Sequence, residues 1–186
     1  GSSPTLNRRN YEPEWDLLVG GIFGTFETNY PDGGVSANPG GPIIAGGEYV
    51  FGGGLEASPS LYSTPVSLAP GSRTSIAEAV VGTPVAGEGG LVYLATFGGA
   101  LEARLAPSTL KWTGSLGADE SFLNSPTIGC GPSGGYVGVL YVGSLTGNLF
   151  AVIVDSRGLD RTSSWPKYQH DVRNTGNPTT PIQSCP

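Results

Sequence analysis

Leu140-Tyr141-Val142-Gly143-Ser144-Leu145-Thr146-Gly147-Asn148-Leu149-Phe150-Ala151-Val152-Ile153-Val154 is the stretch that decides the fold. Two runs of aliphatic and aromatic residues flank a short polar segment with a glycine inside it. Residues of those types favour a pleated, packed strand. Glycine in the turn supplies positive φ at no steric cost. The stretch therefore predicts an antiparallel hairpin, with Leu140-Tyr141-Val142 as a buried strand and Leu149 to Val154 running back beside it. A single hairpin cannot bury its own face in water, so this one has to stack on others.

The chain carries further versions of the same unit. Gly82-Thr83-Pro84-Val85, then Val92-Tyr93-Leu94-Ala95-Thr96-Phe97-Gly98-Gly99-Ala100-Leu101-Glu102-Ala103, then Lys111-Trp112, runs parallel to Asn124-Ser125-Pro126-Thr127, the hairpin quoted above, and Ser164-Trp165. In each, a Ser/Thr-Pro element enters a strand, where proline is tolerated at the first residue. The small residues Ala95 and Gly143 predict a close approach of neighbouring sheets. A poorer copy is Tyr49 to Ala57, with Ser63-Thr64-Pro65-Val66 as another entry element, and Leu18 to Phe26 matches Tyr141 to Leu149 without a gap. Turn glycines 53, 99 and 147 lie 46 and 48 residues apart, within the range of repeat architectures. Thr74 to Val81 is β-branched and reads as a strand, whereas Thr28 to Pro42 reads as a long connection.

Composition agrees with many short strands. There are 31 glycines and 16 prolines, yet only 13% of residues are charged. Disordered chains are rich in charge and poor in aromatics, so the glycines are punctuation and the fold class is all-β. The net charge of −6, with nine scattered basic residues, excludes a nucleic-acid partner, which would need clustered Lys and Arg. No apolar run reaches the length of a transmembrane segment. The absence of methionine, even at position 1, predicts a processed or excised chain.

Cys130 and Cys185 sit in Gly/Pro/Ser loops without the paired spacing of a zinc site. A disulfide tying the tail to the last hairpin is the simplest reading, and it implies an oxidising compartment. Two free thiols in surface loops are the alternative.

Ser125-Pro126-Thr127, followed by the Leu-Tyr-Val-Gly-Ser hairpin and a later tryptophan, resembles the pyrroloquinoline-quinone-like (PQQ-like) β-propeller repeat, well over 124–165 and less well over 82–112. Trp165-Pro166-Lys167-Tyr168-Gln169-His170-Asp171-Val172-Arg173-Asn174-Thr175-Gly176 resembles the segment at the ends of such propellers in secreted bacterial proteins. The resemblance implies antiparallel propeller blades and a chain that is the C-terminal portion of such a protein. It implies structural roles for Trp112, Trp165, Pro166, Tyr168, Asp171, Thr175 and Gly176, with Trp165 and Tyr168 packing and Asp171 capping backbone donors. Quinoprotein dehydrogenases of the family hold PQQ and calcium, but no vicinal cysteines and no assignable acidic cluster stand here, so neither cofactor is supported by ligand residues. About three blades are too few to close a ring, and open edges pair with other chains.

The remaining chemistry-bearing residues read as structural. His170 beside Asp171 lacks a nucleophile, and adjacent side chains seldom converge on one reacting atom. Glu12/Glu14, Asp119/Glu120 and Asp155/Asp160 are close carboxylate pairs in loops. Asp155 and Asp160, with Asn148, fit no EF-hand spacing. Gly20-Gly21-x-x-Gly24 and Gly87-x-Gly89-Gly90 lack the helix that a phosphate-binding loop requires. Tyr11, Trp15, Tyr30 and Tyr62 are read as core aromatics rather than a sugar- or partner-binding surface.

The expected organisation is an irregular segment with a first hairpin over 1–42, propeller repeats over 43–173 and a tail over 174–186. The expected function is a non-catalytic binding or assembly module, secreted, at the cell surface or in the periplasm, completed by another chain or a second copy. The alternatives are a fragment of a quinoprotein dehydrogenase or hydrolase, and a subunit of a surface filament joined through open β edges.

Overall fold

The structure is a computed structural model that describes residues 40–55, 57–67, 71–105, 108–132, 135 and 137–185. Eleven strands form three antiparallel sheets, and no helix occurs among the described residues. Sheet 1 holds β1 (Ile43–Ala45), β2 (Glu48–Gly52), β3 (Ser60–Pro65) and β4 (Ser72–Ser75). Sheet 2 holds β5 (Val85–Gly87), β6 (Leu91–Ala95), β7 (Ala100–Leu105) and β8 (Thr109–Ser115). Sheet 3 holds, among the described residues, β9 (Thr127–Cys130), β10 (Gly138–Gly143) and β11 (Leu149–Val154). Each is a meander in chain order, so every strand pairs with its sequence neighbour.

Local chemistry sets the turns. Gly46 and Gly47, both at positive φ, join β1 to β2 as a two-residue hairpin across the Ala45–Glu48 pair. Gly99 and Gly147 take the same φ, near +90°, in equivalent turns. In these turns the Thr96 N–H donates to the Ala100 carbonyl, and the Ser144 N–H to that of Asn148. Leu140 to Val142 and Leu149 to Val154 form the predicted pair, but Tyr141 is part-exposed, so the first run is half-buried rather than buried throughout.

The sheets pack face to face in sequence. Ile43, Val50 and Leu61 of sheet 1 meet Ala86, Val92 and Leu94 of sheet 2. The opposite face of sheet 2, carrying Val85, Tyr93, Ala95, Leu101 and Ala103, meets Ile128, Leu140, Val142 and Val154 of sheet 3. Each large aliphatic side chain so covered contributes about 1.5–3 kcal/mol. The Tyr93 hydroxyl stays polar-satisfied in this layer by donating to Ser156 Oγ at 3.0 Å and accepting from the Ser156 N–H. Between sheets 1 and 2, Arg104 and Glu102 form a buried ion pair at 2.8 Å.

First strands lie side by side, β1 beside β5 and β5 beside β9. Their entry loops approach backbone to backbone. A Cβ on Gly40 would meet the Gly82 carbonyl oxygen at 2.6 Å, and one on Gly82 would meet that of Asn124 at 2.1 Å. Gly40, Gly82 and Asn124 stand 42 residues apart, each two residues before a proline.

That spacing corrects the alignment of the first unit. Its entry is Gly40-Gly41-Pro42, not Ser63-Thr64-Pro65, which ends β3. Leu55 and Ala57 lie in the β2–β3 connection, and the counterpart of Leu101 is Leu61, which register places opposite Gly52. Thr74 and Ser75 close β4, but 76–81 are not strand, because Ile76 and Val80 turn in to fill the layer between sheets 1 and 2. The proposed hairpin Leu18 to Phe26, with Tyr11, Trp15 and Tyr30, lies outside the described residues.

Gly82→Ala is expected to destabilise the protein by about 1–3 kcal/mol, because the carbonyl it strikes belongs to backbone. Gly114→Ala, whose Cβ would meet nothing within 4 Å, leaves the urea midpoint near that of the wild type. Chemical denaturation of the two variants side by side checks the contrast.

Candidate functional site

After β11 the chain does not add a fourth strand to sheet 3. It turns inward and crosses the inner edges of the other two sheets. The Ile44 N–H donates to the Trp165 carbonyl at 2.8 Å and the Ala86 N–H to the Pro166 carbonyl at 2.6 Å. In return the Asp160 N–H donates to the Ala86 carbonyl, and Ser163 Oγ–H to that of Ile44. Pro166 fits this position because only its carbonyl is used. Left bare, these buried backbone groups would each carry a desolvation cost of about 1–3 kcal/mol.

Beyond Pro166 the chain folds into a compact polar turn. Buried Lys167 donates through Nζ to the carbonyls of Tyr168 at 2.6 Å and Asp171 at 3.0 Å, and to Asn174 Oδ1. Burial pushes its amine below the usual lysine range, against the pull of the Asp171 carboxylate. Asp171 accepts from the N–H groups of Arg173 and Thr175 through Oδ1 and from the Thr175 hydroxyl through Oδ2 at 2.6 Å. Burial raises its carboxyl, but the donors of Thr175 and Arg173 outweigh it and leave the group below its ordinary value. Gln169, His170 and Asn174 all take positive φ, a conformation that non-glycine residues hold only when their surroundings impose it. Buried His170 packs edge-on against Trp165 at 5.5 Å between centroids, with Nδ1 3.7 Å from Asp171 Oδ2.

Most of the motif predicted from sequence meets here: Trp165, Pro166, Asp171, Thr175 and Gly176 build the turn. Tyr168 is the correction. It is half exposed, because the left-handed residues after it swing the chain away and Lys167 takes the interior position. Trp112 stands apart on β8, against Tyr93, with Nε1–H donating to Asp155 Oδ2 at 2.7 Å. Cys130 and Cys185 are joined in a disulfide that brings the tail against β9, where Ile182 packs on the core. A cavity of about 200 Å³ lies beside it, lined by Ile128, Leu159, Arg173 and Ile182 among others.

The other candidates do not converge. Asp160 accepts from Thr162 in a local turn, Asp155 holds Trp112, and Asn148 donates instead to Glu120. Hydrogen bonds from Ser144, Thr146 and Asn148 lower the Glu120 carboxyl, at the surface. Gly89 and Gly90 form the β5–β6 turn. Glu12/Glu14 and the glycines at 20–24 lie outside the described residues. Among the described residues no three His, Cys, Asp or Glu side chains group as a metal site, and no helix is long and apolar enough to cross a membrane.

One surface was missed by reading residues singly. The face of sheet 3 turned away from sheet 2 carries Thr127, Val139, Tyr141, Leu149, Ala151 and Ile153. By register these correspond to Val85, Leu91, Tyr93, Leu101, Ala103 and Leu105 of sheet 2, so the residue types nearly repeat. Exposure does not repeat. Leu101 is 1% exposed and Leu149 75%; Tyr93 is 0% exposed and Tyr141 38%. Aligning the hairpins shows that the two faces carry like residues, and only the packing of the sheets shows which one is left uncovered.

A scan against protein-family models finds no match to this chain, and a search of curated proteins finds none either.

Replacing both cysteines by serine is expected to cost about 4 kcal/mol, the loop-closure value for a 55-residue separation, read as a lower denaturation midpoint. The Asp171 carboxyl sits below its unfolded value, so the stability it supplies is present above the ordinary carboxylate range and is lost as pH falls through the depressed value. Asp171→Asn should flatten that acid limb in melting temperatures taken against pH.

Proposed function

We propose that the three sheets are blades of a PQQ-like β-propeller arc, and that the chain is a non-catalytic binding or assembly module acting outside the cell, at its surface or in the periplasm. Three features support the propeller reading: in-order meanders, first strands side by side, and entry loops that repeat every 42 residues. The observation that carries the assembly reading is the unfinished third sheet. Among the described residues it has three strands where the others have four, and its outward face repeats the residues of a covered one. The disulfide suits an oxidising compartment.

A filament or multi-chain assembly joined through open edges draws on β11, whose only ladder partner among the described residues is β10. Such an edge is a template for strand addition. The dehydrogenase reading would need a calcium site, and among the described residues no three His, Cys, Asp or Glu side chains group as one.

Incubation with PQQ and calcium, followed by a dye-reduction assay with alcohols and sugars, tests the non-catalytic reading. The expected result is no calcium-dependent rise in melting temperature and no dye reduction. Calcium-dependent PQQ binding with substrate-driven reduction overturns it.

A further inference from the structure

We propose that the outward face of sheet 3 is a homodimer interface, covered by the same face of a second copy about a two-fold axis. The inference rests on the assembly reading and names its partner. The face is built for burial. Tyr141, Leu149 and Ala151 stand where Tyr93, Leu101 and Ala103 are fully covered by a neighbouring sheet, and Ile153, 71% exposed, extends the same row. Its physical need is another apolar sheet, packed about 10 Å away.

Three observations select a second copy of this chain. First, the face carries no charged residue: Thr127, Gly129, Val139, Tyr141, Gly143, Leu149, Ala151 and Ile153 are all neutral. A two-fold axis brings like residues together, so a self-complementary face must lack net charge near the axis. A chain of net charge −6 that recognised a basic partner would place its acids there.

Second, the row Leu149-Ala151-Ile153 runs large, small, large about Ala151. An axis near Ala151 sets each copy's Leu149 toward the other's Ile153, and the small residue at the centre lets the two sheets approach.

Third, head-to-tail stacking is closed. Inside the molecule each such face packs on the opposite type of face, represented in sheet 1 by Ile44, Tyr49, Phe51 and Tyr62. Phe51 and Tyr62 of that face are already buried and stacked on each other at 5.6 Å. The isologous pairing is the one left open. Three strands of four to six residues bury on the order of 1,000 Å² across both copies, the low end for a specific interface, so the dimer is expected to dissociate in the micromolar range.

Sedimentation equilibrium of the full chain from about 1 to 200 μM tests this, with the disulfide intact. The mass should rise with concentration from 19.0 kDa toward twice that value. Ile153→Glu and, separately, the milder pair Leu149→Ser with Ile153→Ser should weaken association by at least about tenfold. Both positions are mostly exposed in the single chain, so far-UV dichroism and melting temperature at low concentration should be unchanged. Leu110→Glu, on exposed β8, should leave association as it is. A monomer throughout the range overturns the proposal, as does a dimer that the sheet 3 variants do not weaken. Either result, with the PQQ assay still negative, removes the homodimer and leaves the non-catalytic reading standing.

Discussion

Everything in this molecule depends on how the first strand of each sheet is covered along its inner edge. β1 and β5 are three residues long and, among the described strands, pair on one side only, with β2 and β6. Their other edges face the middle of the structure, where water is scarce. The segment from Leu159 to Pro166 supplies the missing partners, using two backbone carbonyls, one backbone N–H and one serine hydroxyl. The polar turn over 167–176 and the disulfide at Cys185 act on that segment from behind, the first by its own hydrogen bonds and the second by a covalent tie to β9. Only with the edges covered can the sheets keep the backbone contact at Gly40, Gly82 and Asn124.

This arrangement explains why buried charge is tolerated in so sparsely charged a chain. Lys167 is surrounded by oxygen acceptors, and Asp171 by N–H and O–H donors, so each ion is solvated by backbone in place of water. The Glu102–Arg104 pair is held on positions of β7 two residues apart, hence on one face, which turns toward sheet 1. None of these groups points with another at a common open space. They hold structure where a core of aliphatic residues would leave backbone groups bare.

Much of the fold was legible because hairpins advertise themselves locally. Val92 to Ala103 and Leu140 to Val154 alternate apolar runs and turn glycines, and both formed the strands that pattern implies. The cysteine pairing followed from two loops and a tail. What failed was phase. The likeness of Tyr49 to Ala57 to the hairpin over Val92 to Ala103 drew the first unit out of register, whereas the entry positions Gly40, Gly82 and Asn124, constrained by backbone contact between sheets, keep a spacing of 42. Tyr168 was misplaced for a similar reason: left-handed φ at Gln169 and His170 is a tertiary requirement with no glycine to announce it. The uncovered face of sheet 3 has no signature within its own hairpin, because its residues are those of a covered face.

The position of the edge-covering segment in the chain also has a kinetic side. Ser163 reaches back to a strand 119 residues earlier, and Asp160 to one more than seventy residues earlier. As the chain leaves the ribosome, β1 and β5 are complete long before their partners exist. Contacts of such separation form slowly, and unpaired strand edges in the interval invite pairing with neighbouring chains. Proline at 42, 84 and 126, just ahead of each first strand, and the two glycines that make the β1–β2 turn shorten those edges to three or four residues. Brevity of the innermost strands thus protects the nascent chain during the time it waits for residues 159–166.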